Sequence, residues 1–250
     1  VSQSTTSIPK SQHPVLDTLV ANFKPRRYLE VGIGTGENLE DLDIGEKVGI
    51  DIAQPTVSLG DNVRLYQGKS DDVFTSNEFR QERPFDLIFI DAYHEFRQCV
   101  RDFSNSLSLL NEDGIIVIHD VWPFDQVNKF PYSITGKKPH EINPDGTWGV
   151  AWCGDVWKMI FYLNHRKHFE NLDYATVRDF PGYLIIWRTR RKREIKEIKS
   201  IEEIDRLSDT YATENERVFK FMPIEEIVEA IKREMKTPIS TPNAKSGHNV

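Results

Sequence analysis

The chain has 250 residues, 38% hydrophobic and 28% charged, enough for one sizeable α/β domain plus an appendage and too apolar for a disordered or collagen-like chain. A formal charge of -7 speaks against a nucleic-acid binder that works through a broad phosphate-contacting surface. Two cysteines, Cys99 and Cys153, make no disulfide framework, which suits a reducing compartment and an expected cytoplasmic location. The longest apolar runs, around 87–90 and 115–118, fall far short of the roughly 20 residues of a membrane-spanning helix. The N-terminus lacks a secretory pattern and begins at Val1, so the chain reads as a domain cut from a longer polypeptide or a trimmed one.

Residues 1–13 are polar and hold too little apolar surface to repay ordering, and read as a flexible lead-in. From Pro14, the 3.6-residue spacing of Val15, Leu16, Leu19, Val20 and Phe23 predicts a helix that stops before Lys24-Pro25. Apolar runs at 28–31, 47–52, 63–67, 85–90 and 114–118 predict strands, separated mostly by helix-suited segments. That alternation signals βαβ units and a parallel sheet. A helix over 94–110 sets Phe96, Val100, Phe103, Leu107 and Leu110 on one side and ends in the turn Asn111-Glu112-Asp113-Gly114.

Residues 121–150 show no clear period and form a long loop of the kind that is functional or disordered. Its aromatics Trp122, Phe124, Phe130, Tyr132 and Trp148 could stack on a ring-shaped ligand or pack the loop onto the sheet. A helix over 151–165 follows, with Trp157 expected in the core and Lys158 on the surface; Asp155 is a weaker candidate for contact with a substrate. Strands at 175–180 and 183–188, joined through Pro181-Gly182, read as an antiparallel hairpin at the sheet edge. The basic run Arg190-Arg191-Lys192-Arg193 could touch nucleic acid or anionic lipid, but the acids that follow favour a solvated, salt-bridged helix. Pro223 opens an amphipathic helix with Ile224, Ile227, Val228, Ile231 and Met235 on one face, and 237–250 reads as unstructured. The expected division is a lead-in (1–13), an α/β domain (14–189), a charged helical extension (190–236) and a tail (237–250).

The first strand runs from Tyr28 through Glu30 into Gly32-Ile33-Gly34-Thr35-Gly36, where missing side chains let backbone approach a nucleotide-type ligand. A dinucleotide fold would want glycine where Glu37 stands and would not welcome Glu30 beside a pyrophosphate, which disfavours an NAD-dependent oxidoreductase. A carboxylate there suits an ammonium or sulfonium instead, and S-adenosylmethionine (SAM) carries both. In its glycine motif E-x-G-x-G-x-G, Glu30 to Gly36, the sequence resembles the class I SAM-dependent methyltransferases across about 14–188. The resemblance implies a Rossmann-like fold with a mostly parallel seven-stranded sheet. It places Glu30, Gly32, Gly34 and Gly36 at the cofactor, Asp51 on its ribose hydroxyls and Ser70 or Asp71 by its adenine. Each element has a plainer reading, such as a tight turn or, for Asp51, a helix cap.

Asp91 and His94 follow the fourth strand and His119-Asp120 the fifth, a mixed oxygen and nitrogen set able to bind a divalent cation such as Mg or Mn at one rim. The pattern D-x-x-H followed by H-D is similar to that of metal-dependent sugar and small-molecule O-methyltransferases. The resemblance implies Asp91, His119 and Asp120 as metal ligands, Asp91 also near the cofactor, and His94 as general base; the family has an acid where His119 stands. Asp91 capping a helix, His94 half-buried in it, and His119-Asp120 anchoring a turn are the plainer readings. The expected function is methyl transfer from SAM to a hydroxyl of a sugar or glycosylated small molecule. Alternatives are a metal-independent methyltransferase and a SAM-binding assembly module without catalysis. The expected partner is a small-molecule acceptor, with no nucleic acid and no membrane span, and a homo-oligomer is left open.

Overall fold

In the computed structural model, which describes residues 11, 13–122, 153–179 and 181–236, seven strands build one sheet. They are β1 (Arg27–Val31), β2 (Glu46–Asp51), β3 (Val63–Gln67), β4 (Phe85–Ile90), β5 (Leu110–His119), β6 (Leu172–Val177) and β7 (Tyr183–Arg188). Their order is β3-β2-β1-β4-β5-β7-β6. The first five pair in parallel, and β7 runs antiparallel between β5 and β6. This is the expected Rossmann-like methyltransferase sheet, with six strands sharing one direction. The order reverses between β1 and β4, so a crevice opens outside their carboxyl ends, where open α/β sheets bind ligands.

The described helices are α1 (Pro14–Phe23), α2 (Glu37–Asp41), α3 (Ser70–Thr75), α4 (Phe96–Ser108), α5 (Lys158–His165), α6 (Ile201–Asp205), α7 (Asp209–Glu214) and α8 (Ile224–Lys236). Alternation along the strands splits the core into two layers. Leu87, Phe89, Ile115 and Val117 pack with α1, α2 and α8, while Ile88, Ile90, Ile116 and Ile118 pack with α3 to α7. The predicted stripe on α1 is buried at Val15, Leu16 and Leu19, and the helix stops where Lys24 turns left-handed. The C-terminal helix α8 belongs to this layer through Ile227, Val228 and Ile231, and Lys232 donates to Asn22 on α1 at 2.9 Å. None of the described helices is long and apolar enough to cross a membrane, and both cysteines are buried and form no disulfide among the described residues.

Several boundaries differ from the sequence reading, for reasons of pairing. Phe85 lies beside Leu110 and Leu87 beside Ile115, so 111–114, expected to end a helix, instead bulge from the ladder inside the span of β5. β6 spans Leu172–Val177 rather than starting at 175, because Leu172 already pairs with Arg188 and Val177 with Tyr183. On its outer side, Thr176 donates to the Lys220 carbonyl (3.2 Å) and accepts from the Met222 amide (3.0 Å). Arg190 to Arg193 form bends and irregular backbone, not a helix. The Arg190 amide donates to Glu234, while the Arg193 guanidinium donates to the carbonyls of Leu163, Phe169 and Leu172 and lies over the Tyr174 ring. An arginine that satisfies three carbonyls fastens its segment to the body, and the expected charge pairing survives in Lys192 with Glu170. The expected contacts of Phe124, Phe130, Tyr132 and Trp148 lie outside the described residues, as do the tail 237–250 and most of the lead-in.

Lys158 is buried, not on the surface. Its ammonium sits 2.8 Å from Asp155, also buried, and donates to the Asp205 carbonyl at 2.6 Å. The second Asp155 oxygen accepts from the Phe96 amide at 2.7 Å, capping α4 from another element. Asp155→Ala removes a cap and strands a buried cation. We expect it to cost about 3–5 kcal/mol, read as a lower midpoint in urea unfolding, whereas a surface change such as Glu229→Ala stays within about 0.5 kcal/mol.

Candidate active site

β1 delivers the glycine turn to the crevice, and Gly32, Gly34 and Gly36 all adopt positive φ (86°, 53° and 90°) that disfavours side chains. A Cβ on Gly32 would sit 2.2 Å from the Asp91 carbonyl oxygen, so this glycine lets β1 and β4 close at their ends. A Cβ on Gly34 would meet nothing within 4 Å, which leaves that side of the turn open to a ligand. Asp51, at the end of β2, accepts from the amides of Ile33 (2.9 Å), Gly34 (3.3 Å) and Ala53 (2.8 Å). It stands beside the turn as expected and fixes the turn's shape.

Two expected cofactor contacts sit differently. Glu30 is 1% exposed, on the face it shares with Tyr28, and one oxygen accepts from Asn38 of α2 at 2.8 Å while the other has no hydrogen-bond partner. Strand alternation turns it under the glycine turn instead of out into the crevice. Burial pushes its pKa up to about 8, with Asp91 and Asp51 adding to the rise and the Asn38 hydrogen bond opposing it. Ser70 and Asp71, expected at the adenine, spend their side chains on α4: Gln98 donates to both, and Arg101 pairs with Asp71 at 3.1 Å.

Asp91, His94, His119 and Asp120 do converge. The ligand atoms of Asp91, His94 and Asp120 lie within 4.8 Å of one another, so this trio could hold a metal ion. His94 bridges the acids, with Nε2 3.3 Å from Asp91 and Nδ1 3.0 Å from Asp120. The expected set of Asp91, His119 and Asp120 with His94 apart is therefore rearranged: His94 stands between the carboxylates, and His119 sits deeper, its Nδ1 3.2 Å from Asp91. Asp91 does not cap α4, since Asp155 does. Burial would raise the Asp91 pKa, but His119 and His94 hold it well below the usual carboxylate range. Asp120 goes the other way, raised chiefly by burial. Burial lowers His119, but Asp91 and Asp120 outweigh it and raise its pKa. The Asp120 backbone is left-handed (φ 62°), an uncommon conformation for a residue with a side chain.

Three contributors were not legible in the sequence. Gly154 (φ 55°) packs under His94 so closely that a Cβ would lie 1.7 Å from the His94 carbonyl oxygen. Cys153 hydrogen-bonds Asp120. His13, assigned to the flexible lead-in, is buried at the start of α1, with Nδ1 3.0 Å from the Tyr183 hydroxyl and its ring 4.7 Å from that of His119. Burial lowers its pKa to about 4, so it is neutral. Only the Pro14 helix start hinted that order begins there.

Glu30 has a measurable consequence. Unfolded, it ionises near 4.5, whereas folded it keeps its proton to about 8. The native state binds more protons across that window and loses stability as pH rises through it. We expect Glu30→Gln to remove this loss, so that the difference in urea midpoint between the two proteins changes between pH 5 and pH 8 and levels off beyond.

The family described as "Methyltransferase domain" matches residues 27–121, which hold the glycine turn, Asp51 and the whole Asp91–Asp120 cluster. No curated protein matches the chain. Among solved structures, the O-methyltransferase TomG from Streptomyces achromogenes, in complex with SAM, is 19% identical over 70% of this chain and 78% of its own, with a TM-score of 0.47. The methyltransferase PaMTH1 of Podospora anserina, bound to S-adenosylhomocysteine (SAH), is 22% identical over 70% and 76%, with a TM-score of 0.47. MycE of the mycinamycin biosynthetic pathway, in complex with Mg, SAH and mycinamycin VI, is 17% identical over 75% and 51%, with a TM-score of 0.46. The assignment rests on the family match and on the strand order of the chain itself. Residues 27–121 thus match a methyltransferase domain, and the strand order around them is that of a Rossmann-like methyltransferase sheet.

Proposed function

We propose that the chain transfers a methyl group from SAM to a hydroxyl of a sugar or glycosylated small molecule, with a divalent cation at Asp91 and Asp120 and with His94 beside them as general base. The supporting observation is that cluster, set against the open glycine turn by the close packing of Gly32 on Asp91. The donors fit a hard cation: two carboxylates at one rim, with Asp120 Oδ2 buried and lacking an aligned hydrogen bond despite its 3.0 Å ion pair with His94. When bound, SAM would supply an already activated methyl group and the cation a Lewis acid for the acceptor oxygen.

The protein's own part is alignment and proton removal. The turn at 32–36 receives the methyl donor with backbone alone on the Gly34 side, and Asp51 holds the turn and offers acceptor oxygens to a vicinal diol. Asp91 and Asp120 hold the cation. His94, 25% exposed, is the group of the cluster that can both reach solvent and accept a proton from the acceptor hydroxyl. Asp120 at its Nδ1 orients the ring and stabilises the imidazolium that forms.

The same His94–Asp120 contact favours a second reading, in which the dyad works as a base without metal. Chelation separates the two: under the metal reading SAH production stops with EDTA and returns with Mn²⁺, and an enzyme indifferent to both steps belongs to the second. His94→Ala is expected to lower turnover about 10²-fold or more under either, measured as SAH release with a panel of sugar and glycoside acceptors. A change under threefold makes His94 structural. Gly34→Arg fills the open side of the turn and is expected to abolish the heat of SAM titration while circular dichroism stays unchanged; a normal titration removes the cofactor site from this turn.

A further inference from the structure

We propose that His13 and Tyr183 are positioning residues for the cation site, fixing His119 so that it holds Asp91 in place, an inference that rests on the metal reading above. Both lie outside the matched span 27–121.

Strand geometry brings them there. Tyr183 is the cross-strand partner of His119 in the β5–β7 ladder, and alternation puts both on the face that carries Phe89 and α1. α1 begins at Pro14, so its preceding residue, His13, arrives over that end of the sheet. The His119 ring is then enclosed by His13 (edge-on, 4.7 Å between ring centres), Tyr183 (4.7 Å) and Phe89 (5.9 Å). His13 is itself tied by the 3.0 Å hydrogen bond between its Nδ1 and the Tyr183 hydroxyl. Three rings leave the His119 side chain one polar outlet on the described residues at its Nδ1, toward Asp91 at 3.2 Å. Its Nε2 is buried without a hydrogen-bond partner, so among the described residues this packing and the Nδ1 contacts, to Asp91 at 3.2 Å and more distantly to Asp120 at 3.7 Å, set the ring's orientation.

The consequence falls on Asp91. Its Oδ1 is shared by His119 Nδ1 and His94 Nε2, so His119 decides how the carboxylate is presented to a cation. Groups that orient a metal ligand in this way typically change metal affinity about 10–100-fold when lost.

Mn²⁺ binding by isothermal titration and by electron paramagnetic resonance tests this on the full chain, with SAM titration as the internal control. His13→Ala opens space behind His119 and is expected to weaken Mn²⁺ binding about 10-fold or more while SAM affinity stays within twofold. Tyr183→Phe, which keeps the ring and removes the hydrogen bond, is expected to weaken Mn²⁺ in the same direction by a smaller factor. Wild-type Mn²⁺ affinity in folded His13→Ala overturns the proposal, as does an equal loss of Mn²⁺ and SAM binding. If His13→Ala does not fold, Tyr183→Phe decides, and unchanged Mn²⁺ affinity there overturns it. Wild-type protein that takes up no Mn²⁺ overturns the metal reading itself, and this proposal with it.

Discussion

Two carboxylates facing one another, Asp120 buried and Asp91 partly so, are costly unless a hydrogen-bond donor or a cation lies between them, and the rim of this sheet is arranged around that constraint. Asp91 and Asp120 end neighbouring strands, and His94 reaches into the gap with a ring nitrogen for each. Gly32 lets β1 close on the Asp91 backbone, Gly154 lets a distant segment close on His94, and Asp120 takes a left-handed backbone. Each is a local departure from easy geometry, and together they bring separate parts of the chain to one spot. A site that binds a cation needs such an acidic gap, and a fold that must survive without the cation needs an imidazole to fill it.

The parts of the fold legible in the sequence are those set by local pattern. Strand alternation and the Val15–Leu19 stripe located β1 to β5 and α1, and the glycine turn with Asp51 and Asp91 followed from motif spacing. What was not legible depends on partners far along the chain. Lys158 looked like a surface lysine because Asp205, which helps to compensate it, is contributed by another helix. Arg190 to Arg193 looked helical from charge alternation, yet the segment is irregular and Arg193 is held by carbonyls of other elements. D-x-x-H and H-D brought four groups to the rim, but chain spacing does not say which histidine enters the gap. Depth decides: His119 is still on β5 and points into a layer, whereas His94 lies in the loop beyond β4.

The extension past β7 is not a separate body. Its first stretch straps α5 and β6 through Arg193, α6 joins the Lys158 network, and α8 closes the layer that α1 began. α1 also delivers His13, so packing by the last helix supports the first, and the first reaches the rim. Elements that flank the matched methyltransferase span at both ends are thereby coupled to the place where the chemistry is expected.

The two backbone bonds between Thr176 and the Lys220–Met222 segment have a further meaning for the molecule among its own kind. An outermost strand with free amides and carbonyls is a template on which another chain can add a strand. Here β6 has that capacity consumed near its C-terminal end by its own chain, which opposes growth of the sheet across this border. Any encounter between copies of this protein is thus steered away from strand addition at β6.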